Sequence, residues 1–176
     1  MKLSPVQQKF ILHWGEMGTR WGINRTVAQI HALLYISARP LNAEEIAETL
    51  KVARSNVSNS LRELQSWRIV KMMHVLGDKR DHFESMKDTW EMFRVVLDER
   101  KRREIDPTMA VLEECMREAA KDKDTDKYTE ERFRELHRFF ETTAAWYVQV
   151  AKLPASALVK FLNAGDKVLK VLGIGS

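Results

Sequence analysis

Residues 42–64 constrain the fold more than any other stretch of this sequence. Asn42, followed three residues later by Glu45, has the form of a capping box with Asn in place of the usual Ser or Thr. Ala43, Ile46, Ala47 and Leu50 then mark one face of a short helix. After a turn at Lys51-Val52, the spacing of Ala53, Val57, Leu61 and Leu64 predicts a second short helix with an equally narrow inward stripe. Two such helices can bury their stripes only by crossing against each other and a third helix. That is helix-turn-helix geometry.

The flanks supply the remaining parts. Ser4-Pro5 reads as an N-cap with Pro at the first helical position, and Val6, Phe10, Trp14, Met17 and Trp21 recur at helical spacing behind it. Gly22 ends that helix, and Asn24 caps another whose inner face is Val27, Ile30 and Leu34, with His31 as a packing residue, up to the stop at Arg39-Pro40. Beyond Trp67 the β-branched and apolar run 69–76 predicts a strand, Gly77-Asp78-Lys79-Arg80-Asp81 a tight turn, and residues 82–85 the returning strand. A hairpin directly after the second helix of a helix-turn-helix is a wing.

From Lys87 onward the pattern is helical. Trp90, Phe93 and Leu97 line one helix, and Asp106-Pro107 reads as an N-cap and first turn for another carrying Met109, Leu112, Met116 and Ala119. Residues 121–127 alternate in charge as a solvated linker, and Thr129 then opens a long helix with Phe133, Leu136, Phe140, Ala144, Tyr147 and Val150. Pro154 separates it from a last helix with Leu158, Leu162, Leu169 and Leu172. The expected fold is mainly α: a winged helix-turn-helix, with a three-helix core and a two-stranded β-hairpin wing, followed by C-terminal dimerisation helices. The expected division is 1–86 for the winged domain, with residues 1–20 also contributing to the dimer, and 87–176 for a helical dimerisation and effector region.

Several classes are disfavoured. The lone Cys115 cannot form an intrachain disulfide, no signal-peptide pattern opens the chain, and no apolar run reaches the roughly 18 residues of a membrane span. A reducing cytoplasm is the expected compartment, without membrane contact. His13, His31, His74, His82 and His137 lack metal-ligand spacing, so no metal and no cofactor is expected. Glu44-Glu45 and Glu113-Glu114 are adjacent on helices and point different ways, and neither a phosphate loop nor a nucleophile elbow is present. An enzyme is not expected.

With the inward stripe of the second short helix assigned, its outward residues are Arg54, Ser55, Asn56, Ser58, Asn59 and Arg62, none of them acidic. Hydroxyl and amide side chains near a helix N-terminus can reach base edges in the major groove, where Asn pairs with adenine and Arg with guanine. Lys79 and Arg80 at the hairpin can enter a minor groove or grip flanking phosphates. The charge distribution agrees with this, because residues 1–86 carry 12 basic and 8 acidic side chains whereas 87–176 carry 17 of each.

The runs Leu50-Lys51-Val52, Arg54-Ser55-Asn56-Val57-Ser58 and Leu61-Arg62-Glu63-Leu64, followed by Gly77-Asp78-Lys79-Arg80-Asp81-His82-Phe83, resemble the GbsR-like branch of the MarR superfamily of bacterial transcriptional regulators. The resemblance is strongest over residues 20–105. It implies a homodimer, a recognition helix at about 53–66, a wing at about 69–85 and small-molecule control of operator binding. A dimer is also expected on physical grounds, since one recognition helix covers a half-site and a two-fold protein doubles its contacts on a palindromic operator. Some members of that branch are associated with choline and related osmoprotectants, and Trp21, Trp67 and Trp90 are the candidates for an aromatic cage around a quaternary ammonium effector. The reading is a ligand-responsive repressor on double-stranded DNA. The alternative is a winged helix used as a protein–protein interaction module.

Overall fold

The structure is a computed structural model that describes residues 1–154, 156, 157, 159, 160 and 164. The expected last helix, with Leu158, Leu162, Leu169 and Leu172, lies outside the described residues. Two compact units are present, Met1–Val96 and Leu97–Ser176.

The first unit opens with α1 (Pro5–Arg20), whose N-terminus carries a full capping box: Ser4 Oγ accepts from the Gln7 amide at 3.3 Å and Gln7 Oε1 accepts from the Ser4 amide at 2.9 Å. The inward face of α1 follows the expected apolar stripe only in part. Phe10 and Trp14 pack half-buried against the core, but the fully buried positions are Ile11, Gly15 and Gly18, whereas Val6 is 77% exposed and Trp21 half exposed. Close approach of α2 (Arg25–Ile36) explains this, since small residues set the contact. A Cβ on Gly18 would lie 2.5 Å from Ala28 Cβ, and one on Gly15 would lie 2.6 Å from Gln29 Cγ.

Gly18 should therefore tolerate alanine less well than Gly15. Gly18→Ala forces one helix backbone off the other and is expected to cost about 1–3 kcal/mol as overpacking, against roughly 1 kcal/mol gained from helix propensity. At Gly15 the new Cβ meets Gln29 Cγ, which a change of that side chain's rotamer can withdraw, so the loss is smaller. The thermal midpoint of Gly18→Ala should lie below that of Gly15→Ala, and equal midpoints would contradict the assigned contact.

Helix α2 starts at Asn24, whose Oδ1 accepts from the Thr26 amide at 2.8 Å. It is buried on nearly every side, Ala28, Ala32 and Leu33 joining the expected Val27, Ile30, His31 and Leu34, because α1, α3 (Ala43–Leu50), α4 (Arg54–Ser66) and β3 (Asp78–Ser85) all pack on it. Its C-terminal carbonyls are satisfied by a cation: Lys87 Nζ donates to Leu34 O at 3.3 Å and Ser37 O at 2.8 Å.

His31 is buried, its Nε2 lies 3.3 Å from Ser85 Oγ, and burial lowers its pKa from 6.5 to about 4. Between these values the unfolded chain binds a proton that the folded chain refuses, so stability falls as pH drops from about 6.5 towards 4. The urea midpoint should decline across that window, and more shallowly in His31→Gln. Identical slopes would show that His31 does not carry the effect.

The helix-turn-helix follows. Both bonds of the Asn42–Glu45 box are present, Oδ1 accepting from the Glu45 amide at 3.0 Å and Glu45 Oε2 from the Asn42 amide at 2.9 Å. Lys51 ends α3 in the left-handed region at φ 56°. Val57, Leu61 and Leu64 of α4 are buried as expected, together with Ser60. Ala53, expected to face inward, is instead exposed as the N-cap residue. The wing is built from β2 (Val70–Val75) and β3, and the dipeptide β1 (Leu41–Asn42) pairs antiparallel with β3, making a three-stranded sheet of order β1-β3-β2 where a two-stranded hairpin was expected. Phe83, Trp67, Ile69 and Val70 close the core beneath this sheet.

The wing turn is also shorter than expected. It consists of Leu76 and Gly77, with Gly77 at φ +83°, and Asp78 already pairs with Val75. Lys79 and Arg80 fall where the register shifts, between the Val75–Asp78 and His74–Asp81 pairs, and so form a bulge at the root of the tip. A glycine followed by four charged residues reads as a turn, but of the five only Gly77 needs a turn conformation.

In the second unit, Asp106 is not an N-cap. Helix α5 (Thr89–Arg100) runs through a π-helical turn, Lys101–Ile105, directly into α6 (Asp106–Ala119), and Asp106 itself has helical angles of −60° and −43°. The wider turn lets Pro107 enter without its ring striking the preceding carbonyls. Lys101 Nζ holds Asp106 Oδ1 at 2.6 Å across it. Helix α7 (Lys127–Ala151), capped by Asp126, begins two residues ahead of the expected start, and its Phe133, Phe140, Ala144, Tyr147 and Val150 are half-buried, while Leu136 is exposed. The Tyr147 hydroxyl donates to Asp98 Oδ1 at 2.7 Å.

Candidate nucleic-acid interface

Helix α4 is fixed from within by Val57, Leu61 and Leu64, which determines what its other side presents. Arg54, Ser55, Asn56, Asn59 and Arg62 are exposed, and Ser58 is half-buried. The N-cap Ala53 provides no side-chain acceptor, so the first amides of α4 face outward without a local oxygen on them. Arg62 donates to Asn59 Oδ1, one turn earlier, which orients both side chains on the same face.

The wing holds its arginine in place. Asp78 Oδ1 accepts from the Arg80 amide at 3.0 Å and from Arg80 Nε at 2.9 Å, while Oδ2 accepts from Nη2 at 2.5 Å. Arg80 hydrogen bonding keeps the Asp78 carboxyl far below the usual carboxylate range, so the clamp persists at any physiological pH. His82 adds a further restraint, its Nδ1 donating to Arg80 O at 2.9 Å. The guanidinium remains exposed and preoriented, which lowers the entropy lost when it meets an anion or a base edge.

A groove of about 450 Å³ runs between α4 and the wing, and Arg54, Ser58, Arg62, Lys79 and Arg80 line it. Five of the eight residues expected from sequence to meet DNA therefore line one groove, whereas Ser55, Asn56 and Asn59 are exposed on α4 outside its lining. Sequence spacing does not single out three acidic residues at this surface: Asp78 and Asp81, which fall in the expected wing turn, and Glu44, on α3, which pairs with Arg54 across the groove. An Asp two residues before an Arg is a usable signal for Asp78. No pattern within α4 reveals Glu44.

The three tryptophans named for an effector occupy separate settings. Trp67 belongs to the buried core, Trp21 meets the edge of Trp14 with ring centroids 6.4 Å apart, and Trp90 meets Phe93 at 6.4 Å. Among the described residues no group of three or more His, Cys, Asp or Glu could hold a metal ion, and no helix is long and apolar enough to cross a membrane. Cys115 is a half-buried free thiol.

Comparison with known proteins agrees with this arrangement. Residues 21–81 match the model of the MarR family. The matched segment runs from the end of α1 through the helix-turn-helix to the wing bulge, and so contains all eight residues expected from sequence to meet DNA. The fold is also similar to a crystal structure of a transcriptional regulator, with a TM-score of 0.66 and 16% identity over 84% of this chain and 96% of that one. Two other solved structures align at a TM-score of 0.39: a mutant of MepR from S. aureus bound to an oligodeoxyribonucleotide (14% identity, 95% of this chain, 92% of that one), and the transcriptional regulator Tm0710 from Thermotoga maritima (18% identity, 77% and 89%). No curated protein sequence matches the chain significantly.

Proposed function

We propose that this chain is a DNA-binding transcriptional regulator of the GbsR-like kind, acting in the cytoplasm as a homodimer on a palindromic operator. The carrying observation is the convergence, within the MarR-matching segment, of Arg54, Ser58 and Arg62 of α4 with Lys79 and the clamped Arg80 of the wing on one groove. Ser55, Asn56, Asn59 and Arg62 then read base edges in a major groove, and Lys79 and Arg80 grip the flanking DNA.

The homodimer reading rests on α7, which exposes Leu136, Phe139 and Trp146, spaced three and seven residues apart along a flank that adjoins its half-buried face. Such a line suits a second helix. Effector control is part of the reading. Of the tryptophans considered for a quaternary ammonium, Trp21 and Trp90 are the more accessible, since Trp67 is core. Repression by occlusion of the promoter is the expected sign of control.

The test is the affinity of the protein for its own promoter fragment and for a scrambled duplex between 50 and 200 mM salt. A preference of about a thousandfold or more for the promoter is expected. Equal, weak, salt-sensitive binding to both would overturn the reading in favour of a protein–protein interaction module.

A further inference from the structure

The surface assigned to DNA contains two carboxylates where an anion-binding face has no need of them, Asp81, which lies 3.9 Å from His74 Nδ1 on the wing, and Glu44, which reaches an arginine of the recognition helix. Glu44 sits in the first turn of α3, yet its neighbour Glu45 makes the capping box and the ion pair with Arg39, so Glu44 is not required for the cap. It lines the groove between α4 and the wing and accepts a hydrogen bond from Arg54 Nη1. Both partners are partly exposed, with side chains 41% and 55% accessible, so the pair lies in the layer that meets DNA and not beneath it. Arg80, governed chiefly by Asp78, also feels the field of Glu44 from the other wall of the groove.

We propose that Glu44 is a specificity-determining residue, which makes Arg54 respond to a base edge in preference to a phosphate. This inference rests on the DNA-binding reading above. An unpaired arginine at the tip of a recognition helix grips any phosphate, and so strengthens binding to all sequences alike. With Glu44 attached, the pair carries no net charge, and a phosphate oxygen approaching Arg54 also approaches a carboxylate. A guanine edge is a neutral acceptor. It can take the guanidinium hydrogens that Nη1–Glu44 leaves unused, without that repulsion, and the pairing restricts the rotamers from which Arg54 must choose. A carboxylate beside the fork therefore lowers non-specific affinity more than specific affinity. Specificity arises here by penalising the wrong acceptor.

The experiment measures Glu44→Gln on the promoter fragment and on a scrambled duplex across the same salt range, alone and combined with Arg54→Ala. Glutamine keeps the shape and an acceptor oxygen but removes the charge. The expected result is about a tenfold gain in affinity for the scrambled duplex at low salt, with its log–log salt slope steeper by about 1 as Arg54 takes up one more phosphate. The promoter gains less, so the preference falls by roughly tenfold, and in the Arg54→Ala background Glu44→Gln leaves the preference unchanged. An unaltered preference, an equal gain on both duplexes, or an effect that persists undiminished without Arg54 would each overturn the inference while leaving the DNA-binding reading intact. A wild-type protein with no preference at all would overturn both.

Discussion

Truncating Leu33 to alanine is expected to remove about 2–5 kcal/mol of stability from the Met1–Val96 unit. Leu33 has no accessible surface and lies on the central helix α2, on which α1, α3, α4 and β3 all pack, so the vacated volume cannot be refilled by a small movement of one neighbour. Domains of this size hold a total of about 5–15 kcal/mol, and the change consumes a large share of it. Urea unfolding followed by tryptophan fluorescence is a suitable measurement, because Trp67 belongs to the same core. Val6→Ala, at a position 77% exposed on α1, is the matched control and should stay within about 0.5 kcal/mol of the parent. A Leu33→Ala loss below about 1 kcal/mol would mean that α2 is not the centre of this unit.

The second large effect concerns DNA. Replacing Arg54, Asn56 and Arg62 together by alanine removes three exposed side chains of α4 without touching Val57, Leu61 or Leu64, which hold the helix in place. At about 1–3 kcal/mol for each good base contact, promoter affinity should fall by at least a hundredfold, and the preference over a scrambled duplex should be lost. The oligomeric state should be unchanged, as these residues lie far along the chain from α7. Sedimentation and binding measured on one preparation separate the outcomes. Retention of the promoter preference by the triple variant would remove α4 from the reading role.

Much of the winged domain is legible in the sequence because the signals that shape it are local. The caps at Ser4, Asn24 and Asn42 are decided by atoms within three residues, and all three are where the sequence places them. The stripe of Val57, Leu61 and Leu64 needs only a helical period, and so does the burial of His31. Contacts made by small residues are less visible. Gly15 and Gly18 carry the α1–α2 contact, yet a search for apolar spacing passes over them and selects Val6 and Trp21. The π turn before Pro107 depends on the helix continuing through Arg100, which an Asp-Pro pair read in isolation contradicts. The same limit applies at the interface. Outward residues of α4 follow from the inward ones, but the Glu44–Arg54 pair joins two helices, and no period within either predicts it.

The central claim, that α4 and the wing read DNA sequence as a two-fold pair, is tested most directly by selection from a pool of random duplexes, with no prior choice of promoter. Enrichment is expected for a palindrome whose half-sites are separated by about one helical turn, about 10–10.5 base pairs centre to centre, or a multiple of it. A pool that remains unenriched after several rounds at about 150 mM salt, or one that yields only a single unpaired half-site, would contradict it.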